Sequence, residues 1–189
     1  MARISRKRSS RSRRSGGDEA SVVIAAGPEA VYDVVSDITN MGRLSPECTG
    51  GRWIGGADGP AVGARFRGRN RRGLIRWSTT NLVTAANRGR EFTFETRQSG
   101  ARWRYLFEPT GDGTSTIVTE RREFWRRQPL WARTATRFAL GGTATHHHEM
   151  VDGLAATLGR LKELMEQEDA PRGRRGRGRR RGRSAARRR

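Results

Sequence analysis

Between residues 50 and 124 apolar and polar side chains alternate with a period of two. Turn residues interrupt the alternation at Gly55-Gly56, Asp58-Gly59-Pro60, Asn70-Arg71-Arg72-Gly73, Asn87-Arg88-Gly89, Ser99-Gly100 and Gly111-Asp112-Gly113. The pattern predicts six strands joined by tight connections. Ile75, Trp77, Thr79, Asn81 and Val83 share one face, as do Phe92 and Phe94, and Trp103, Tyr105 and Phe107. Arg76, Glu91, Glu95, Arg102, Arg104 and Glu108 fall on the other. An antiparallel meander follows, with one aromatic-rich face and one charged face.

The flanks change period. Residues 19–26 read as a first strand, after which Gly27-Pro28-Glu29 supplies a turn, a proline suited to the first helical position and an acid in the first turn. In the helix that starts there, Val31, Val34, Val35 and Ile38 form a buried stripe while Glu29, Asp33 and Asp37 stay wet. Asn40-Met41-Gly42 breaks the pattern before a second short helix or turn through Leu44, Ser45 and Pro46. Residues 125–142, with Pro129, Trp131, Phe138 and Gly141-Gly142, predict a short helix or a lid. Met150, Val151, Leu154, Leu158, Leu161 and Met165 then recur at helical steps, predicting an amphipathic helix over residues 144–168. The fold class is α+β: a curved seven-stranded antiparallel sheet wrapped around a long C-terminal helix, with two short helices after the first strand.

Composition sharpens the domain plan. The chain has 189 residues with 39 Lys+Arg against 19 Asp+Glu, a net charge of +20. Seven of the basic residues lie in 1–14 and eleven in 171–189, where there are no acids, so the middle nets only +2. All 13 aromatic residues lie in that middle. Residues 1–17 and 169–189 have too few apolar side chains to offset the entropy of ordering, and they are expected to be disordered tails around one domain spanning 18–168. Arg174, Arg175, Arg177, Arg179, Arg180 and Arg181, spaced by glycine, suit non-specific nucleic acid or an anionic membrane surface. Without aromatics the tails cannot stack bases, and a solubilising extension with no partner is an equal alternative. The longest apolar run, Val22 to Ala26, is far too short to span a bilayer, and Asp18 and Glu19 interrupt any signal-peptide pattern. A single Cys48 with no zinc spacing suits a reducing, cytoplasmic setting.

The element order, taken with several local stretches, resembles the SRPBCC (START/Bet v 1-like) superfamily, and within it the polyketide cyclase/dehydrase and lipid-transport branch. The stretches are Glu29-Ala30-Val31-Tyr32-Asp33-Val34-Val35-Ser36-Asp37, Met41 to Cys48, Gly68 to Gly73 with Arg76-Trp77-Ser78-Thr79-Thr80, and Arg102-Trp103-Arg104-Tyr105 followed by Phe107-Glu108-Pro109. The resemblance implies a helix-grip fold with a cavity between sheet and long helix that takes an apolar small molecule. Its members include cyclases, lipid carriers and hormone receptors, so it implies less about chemistry.

Candidate cavity walls are Trp53, Phe66, Trp77, Thr79, Phe94, Trp103 and Tyr105, each of which is also what an ordinary core requires. Gly153, Ala155 and Ala156 on the long helix either leave room above the sheet or permit close packing. Consecutive His146-His147-His148 point about 100° apart around a helix and cannot share one metal ion, so no metal site is expected. His147, Asn81 and Tyr105 are the candidate acid–base groups. A Ser/Arg cyclase pair at Arg76 and Ser78 falls on the outer phase. The chain has no nucleophile elbow, phosphate loop, dinucleotide fingerprint or metalloprotease helix, so no cofactor is expected. The sequence favours a binder of a hydrophobic small molecule, lipid or polyketide-like metabolite. A metal-free cyclase/dehydrase acting on such a ligand, and a nucleic-acid-associated protein working through its tails, stay open.

Overall fold

The structure is a computed structural model and describes residues 17–125 and 143–168. Both tails, and the predicted helix or lid after Trp125, lie outside the described residues. The elements run β1 (Asp18–Ile24), α1 (Pro28–Ser36), a 3-10 turn (Ile38–Asn40), α2 (Met41–Leu44), β2 (Cys48–Ile54), β3 (Arg65–Arg72), β4 (Ile75–Asn87), β5 (Glu91–Thr96), β6 (Ala101–Pro109), β7 (Thr116–Phe124) and α3 (Thr143–Glu168). The strands form one antiparallel sheet in the order β1-β7-β6-β5-β4-β3-β2, so β2 to β7 is a continuous meander and β1 closes onto β7.

Local chemistry accounts for the turns into and out of α1. Pro28 occupies the first helical position; Asp37 closes the helix with its amide donating to the Asp33 carbonyl oxygen, and its carboxylate, accepting from the Thr39 amide at 3.0 Å, caps the start of the 3-10 turn. Val31, Val35 and Ile38 are buried, as expected. Tyr32 is buried as well, which the apolar stripe alone does not predict, and its ring packs edge-on to Phe92 and Phe107 at 6.2 and 5.7 Å. Each such pair contributes about 0.5–1.5 kcal/mol beyond the area it buries.

Two irregularities bend the sheet. The β2–β3 register shifts between Cys48 and Gly50, and the β4–β5 register shifts between Val83 and Ala85. Such bulges increase local twist and curl the sheet toward one face. Beside the first, Gly51 lets the 3-10 turn approach closely: a Cβ there would lie 2.6 Å from the Ile38 carbonyl oxygen. At the same end of β3, the chain passes to β4 through Gly73-Leu74, with Gly73 at φ +57°, a conformation glycine takes without a Cβ penalty.

Helix α3 lies chiefly against β1, with slighter approaches to β7 and α2. Leu154, Leu158, Leu161 and Met165 are buried along it, and the Lys162 ammonium donates to the Val23 carbonyl oxygen at 2.8 Å. These residues join Ala20, Val22, Ile24, Phe92 and Phe107 in one core. The architecture is the α+β helix-grip arrangement expected from the sequence. No described helix is long and apolar enough to cross a membrane.

Candidate functional site

Strand alternation aims Phe66, Asn81, Val83, Phe92, Phe94, Thr96, Trp103, Tyr105, Glu120 and Arg122 at the concave face, and the register lines them up in rows. One row is aromatic. Trp53 lies opposite Phe66, and their rings meet edge-on at 5.6 Å. Phe66 reaches Phe94 at 5.0 Å, and Phe94 stacks on its ladder partner Trp103 at 6.5 Å. Phe66 and Phe94 are buried, while Trp53, Trp77 and Trp103 are only half-buried despite standing on the inner phase of their strands.

The row ends in charge. Trp103 faces Arg122 across the β6–β7 ladder, and Arg122 faces Asp18 across the β7–β1 ladder. The guanidinium pairs with the Asp18 carboxylate; the two side chains are 8% and 6% exposed. It also lies 5.9 Å from the Trp103 ring centroid and 5.2 Å from that of Phe124, a cation–π geometry strengthened by the exclusion of water. Burial pulls the Arg122 pKa down, and Asp18 pulls it back up.

A second row runs Phe92, Tyr105, Glu120, Ala20. Glu120 is 2% exposed. The Tyr105 hydroxyl donates to Glu120 Oε1 at 2.6 Å. Burial pushes the Glu120 pKa up to about 8 against the opposing pull of the Tyr105 hydrogen bond and the Arg122 charge. The Tyr105 hydroxyl is pushed well above its ordinary value, first by burial and then by Glu120. At neutral pH the pair therefore holds both of its protons. Glu120 Oε2 and Arg122 Nε are buried without a hydrogen-bond partner among the described residues.

The candidates named from the sequence fall into three groups. Trp53, Phe66, Phe94, Trp103 and Tyr105 come together along the concave face. Trp77 and Thr79 stand nearer its β3–β4 end, and Asn81 lies between them and the aromatic row. Asn81 is committed to its neighbours: its carbonyl oxygen accepts from the Thr96 hydroxyl at 2.8 Å and its amide donates to the Thr79 hydroxyl at 3.3 Å. His147 lies in α3 with its side chain outside the described residues, and Arg174, Arg175, Arg177, Arg179, Arg180 and Arg181 lie wholly outside them. Among the described residues no group of His, Cys, Asp and Glu is arranged to hold a metal ion. Cys48 is half-buried, and its thiol is pushed up by burial.

Sequence reading missed Asp18, Glu120 and Arg122. The signal was present: Thr116, Val118, Glu120 and Arg122 alternate in phase. A hairpin folded at Gly111-Asp112-Gly113 with Thr116 opposite Pro109 puts Glu120 against Tyr105. Asp18 carries no such cue, because its partner, on the neighbouring strand, is 104 residues away in sequence.

Comparison with known proteins agrees with this geometry. Residues 19–166 match the family model described as polyketide cyclase / dehydrase and lipid transport. No curated protein matches the chain. Among solved structures, the Polyketide_cyc-like protein Cgl2372 of Corynebacterium glutamicum is 29% identical with a TM-score of 0.52, covering 87% of this chain and 100% of its own. The Zhui aromatase/cyclase of Streptomyces sp. R1128 is 15% identical with a TM-score of 0.61, covering 85% of this chain and 99% of its own. A START superfamily protein of Mycobacterium smegmatis is 18% identical with a TM-score of 0.56, covering 78% and 98%. The latter two likenesses concern the fold. With the family match spanning almost all of the described sheet and helices, the chain belongs to the polyketide cyclase/dehydrase and lipid transport family.

Proposed function

We propose that the protein binds a hydrophobic small molecule, a lipid or polyketide-like metabolite, on the concave face of its sheet, with the polar atom of the ligand held by Glu120 and Arg122. One observation carries this reading. Two buried polar atoms without partners, Glu120 Oε2 and Arg122 Nε, stand two residues apart on one strand face, at the end of an aromatic row whose tryptophans are only half-buried. Buried polar groups are nearly always hydrogen-bonded, so this pair marks a place for a ligand's polar atom.

The chemistry of the anchors narrows the ligand. A carboxyl that keeps its proton at neutral pH donates rather than accepts through that proton, as does the guanidinium Nε. Two donors suit a carbonyl or hydroxyl oxygen. Asp18 already balances the Arg122 charge, so a ligand carboxylate would lack a counter-ion and an uncharged polar group fits better. Titration of the full chain with the apolar dye N-phenyl-1-naphthylamine tests the reading. Saturable enhancement is expected, with roughly tenfold weaker binding in Trp103→Ala, which removes one of the larger apolar surfaces of the row. Absence of saturable binding, or a Trp103→Ala variant as avid as the parent, contradicts it.

The protonated Glu120 also supports a second reading, a cyclase/dehydrase. Donation from Glu120 to a ligand carbonyl would polarise it for aldol closure; donation to a departing hydroxyl would release water, and the carboxylate left behind would take the α-proton as the double bond forms, restoring the acid. Tyr105 would hold the carboxyl in place. Turnover of a polyketone analogue that Glu120→Gln abolishes without weakening dye binding supports this reading. Dye binding without turnover supports the first alone.

A further inference from the structure

The outward face of the sheet is built in two halves. On β5, β6, β7 and β1 each outward arginine meets an acid: Arg102 with Glu95 at 2.6 Å, Arg104 with Glu91 at 2.8 Å and Arg121 with Glu19 at 2.5 Å. On β3, Arg65, Arg67, Arg69 and Arg71 alternate with Phe66, Gly68 and Asn70, and all four are exposed. None has an acid as its ladder partner; Arg71 comes beside one, its amide donating to the Glu47 carbonyl oxygen at 2.9 Å, but the two side chains form no ion pair among the described residues. Arg67 faces Arg52 on one side and Thr80 on the other; Arg71 faces Arg76; Arg65 faces Ile54 and Leu82; Arg69 faces Gly50 and Ser78. Like charges directly opposite one another destabilise a sheet. The Arg52–Arg67 and Arg71–Arg76 pairs carry that cost with no ion pair to offset it among the described residues, whereas in the other half of the face the Arg104–Arg121 ladder pair is flanked by Glu91 and Glu19, one bound to each arginine. At about 6.6 Å between alternate residues, the four β3 guanidinium groups form a row roughly 20 Å long. Such a field is complementary to a polyanion.

The end of this row selects among polyanions. The Gly73-Leu74 turn presents Leu74, 96% exposed, between Arg71 and Arg72 before it and Arg76 after it. Ile75 is 45% exposed beside it, and Leu82 is exposed on the outward face opposite Arg65. Arg71 Nε donates to the Gly73 carbonyl oxygen at 2.9 Å and fastens the turn. The outward positions of β2, β3 and β4 hold no aromatic side chain, so single-stranded bases find nothing to stack on. A nucleic-acid backbone would engage the arginines and leave Leu74 in water. A lipid interface uses both, because an apolar side chain sinks below the headgroups while flanking guanidinium groups meet their phosphates.

We propose that the outward face of β2–β4 and the Gly73-Leu74 turn form a docking surface for an anionic lipid bilayer, with Leu74 entering the acyl boundary. The arginines supply attraction that depends on salt and on anionic lipid, and Leu74 and Ile75 supply the apolar contact.

An environment-sensitive dye on Leu74→Cys, in a Cys48→Ser background of the full chain, tests this. Charge alone would draw the Arg-rich tails to anionic vesicles, so the emission of the dye, rather than pelleting, is the readout. Phosphatidylglycerol/phosphatidylcholine vesicles are expected to shift the emission to the blue and shield the dye from iodide, whereas pure phosphatidylcholine leaves it unchanged. The same dye on Asp112→Cys, at the β6–β7 turn, stays in water. Adding Arg67→Gln, Arg69→Gln and Arg71→Gln is expected to weaken the dye-reported affinity about a hundredfold, at roughly 1 kcal/mol per basic residue near the surface. A Leu74→Cys dye that stays aqueous while the chain pellets with vesicles overturns the proposal. So does a full blue shift in the triple variant. Loss of duplex RNA binding in that variant, with the dye indifferent to vesicles, reassigns the face to nucleic acid.

Discussion

Glu120→Gln isolates the buried proton on which the site depends. In the folded chain the Glu120 pKa is pushed up to about 8, from an ordinary value of 4.5, chiefly by burial. Folding therefore takes up a proton between those two pH values. Because the native state binds more protons there than the unfolded chain, stability falls as pH rises through the window. At about 1.36 kcal/mol per pH unit, the full span amounts to a loss on the order of 5 kcal/mol. Tyr105, Arg122 and Asp18 face this group from β6, β7 and β1, and of these Tyr105 and Arg122 pull its pKa in the opposite direction. Glutamine keeps the shape and cannot ionise. The difference in urea-unfolding free energy between parent and variant, measured at intervals from pH 5 to pH 9, cancels every other titrating group. Near pH 5 the two should agree to within about 1 kcal/mol; above pH 8 the variant should be the more stable, by a few kcal/mol. A difference that does not change with pH refutes the reasoning, as does one that grows toward acid.

Arg122→Met removes the guanidinium paired with the buried Asp18 carboxylate and should cost about 3–5 kcal/mol in urea unfolding, while Asp18→Asn/Arg122→Met should recover more than half of that. Equal losses in the single and double variants would mean that the pair is not the source. Gly51→Ala puts a Cβ 2.6 Å from the Ile38 carbonyl oxygen, a backbone atom that cannot swing aside, and should lower stability by about 1–3 kcal/mol by the same assay. Gly111→Ala, where nothing lies within 4 Å of the added carbon, should cost less than that.

The fold was legible because its signals are local and mutually consistent. Period-two alternation and six sets of turn residues delimit β2 to β7, Gly27-Pro28 marks the start of α1, and leucines at helical spacing mark α3. Tyr32 was harder to read: a phenol on a short helix says nothing of burial until Phe92 and Phe107 are brought beneath it. The candidate site was half legible. Trp103, Tyr105 and Phe94 declare themselves by alternating with charges. Glu120 and Arg122 alternate just as regularly, but charged residues in a strand are ordinarily taken as its wet face, and only the register against Tyr105 and Trp103 reverses that reading. Asp18 meets Arg122 across 104 residues of sequence, a separation that no local pattern encodes. Charge was misleading in a different way. The middle of the chain is almost neutral in sum, yet on one sheet face its acids pair with the arginines of β6 and β7 while the outward arginines of β3 are bound to none among the described residues. Net charge carries no information about such sorting.

The central claim is that the concave face holds an apolar molecule at the Glu120–Arg122 end of the aromatic row. Native mass spectrometry of the purified full chain addresses it most directly. The account predicts a mass above that of the polypeptide, a small apolar and uncharged species released into organic solvent, and loss of that species in Trp103→Ala. A bare polypeptide mass in both proteins, together with no saturable uptake of N-phenyl-1-naphthylamine by the parent, would contradict it.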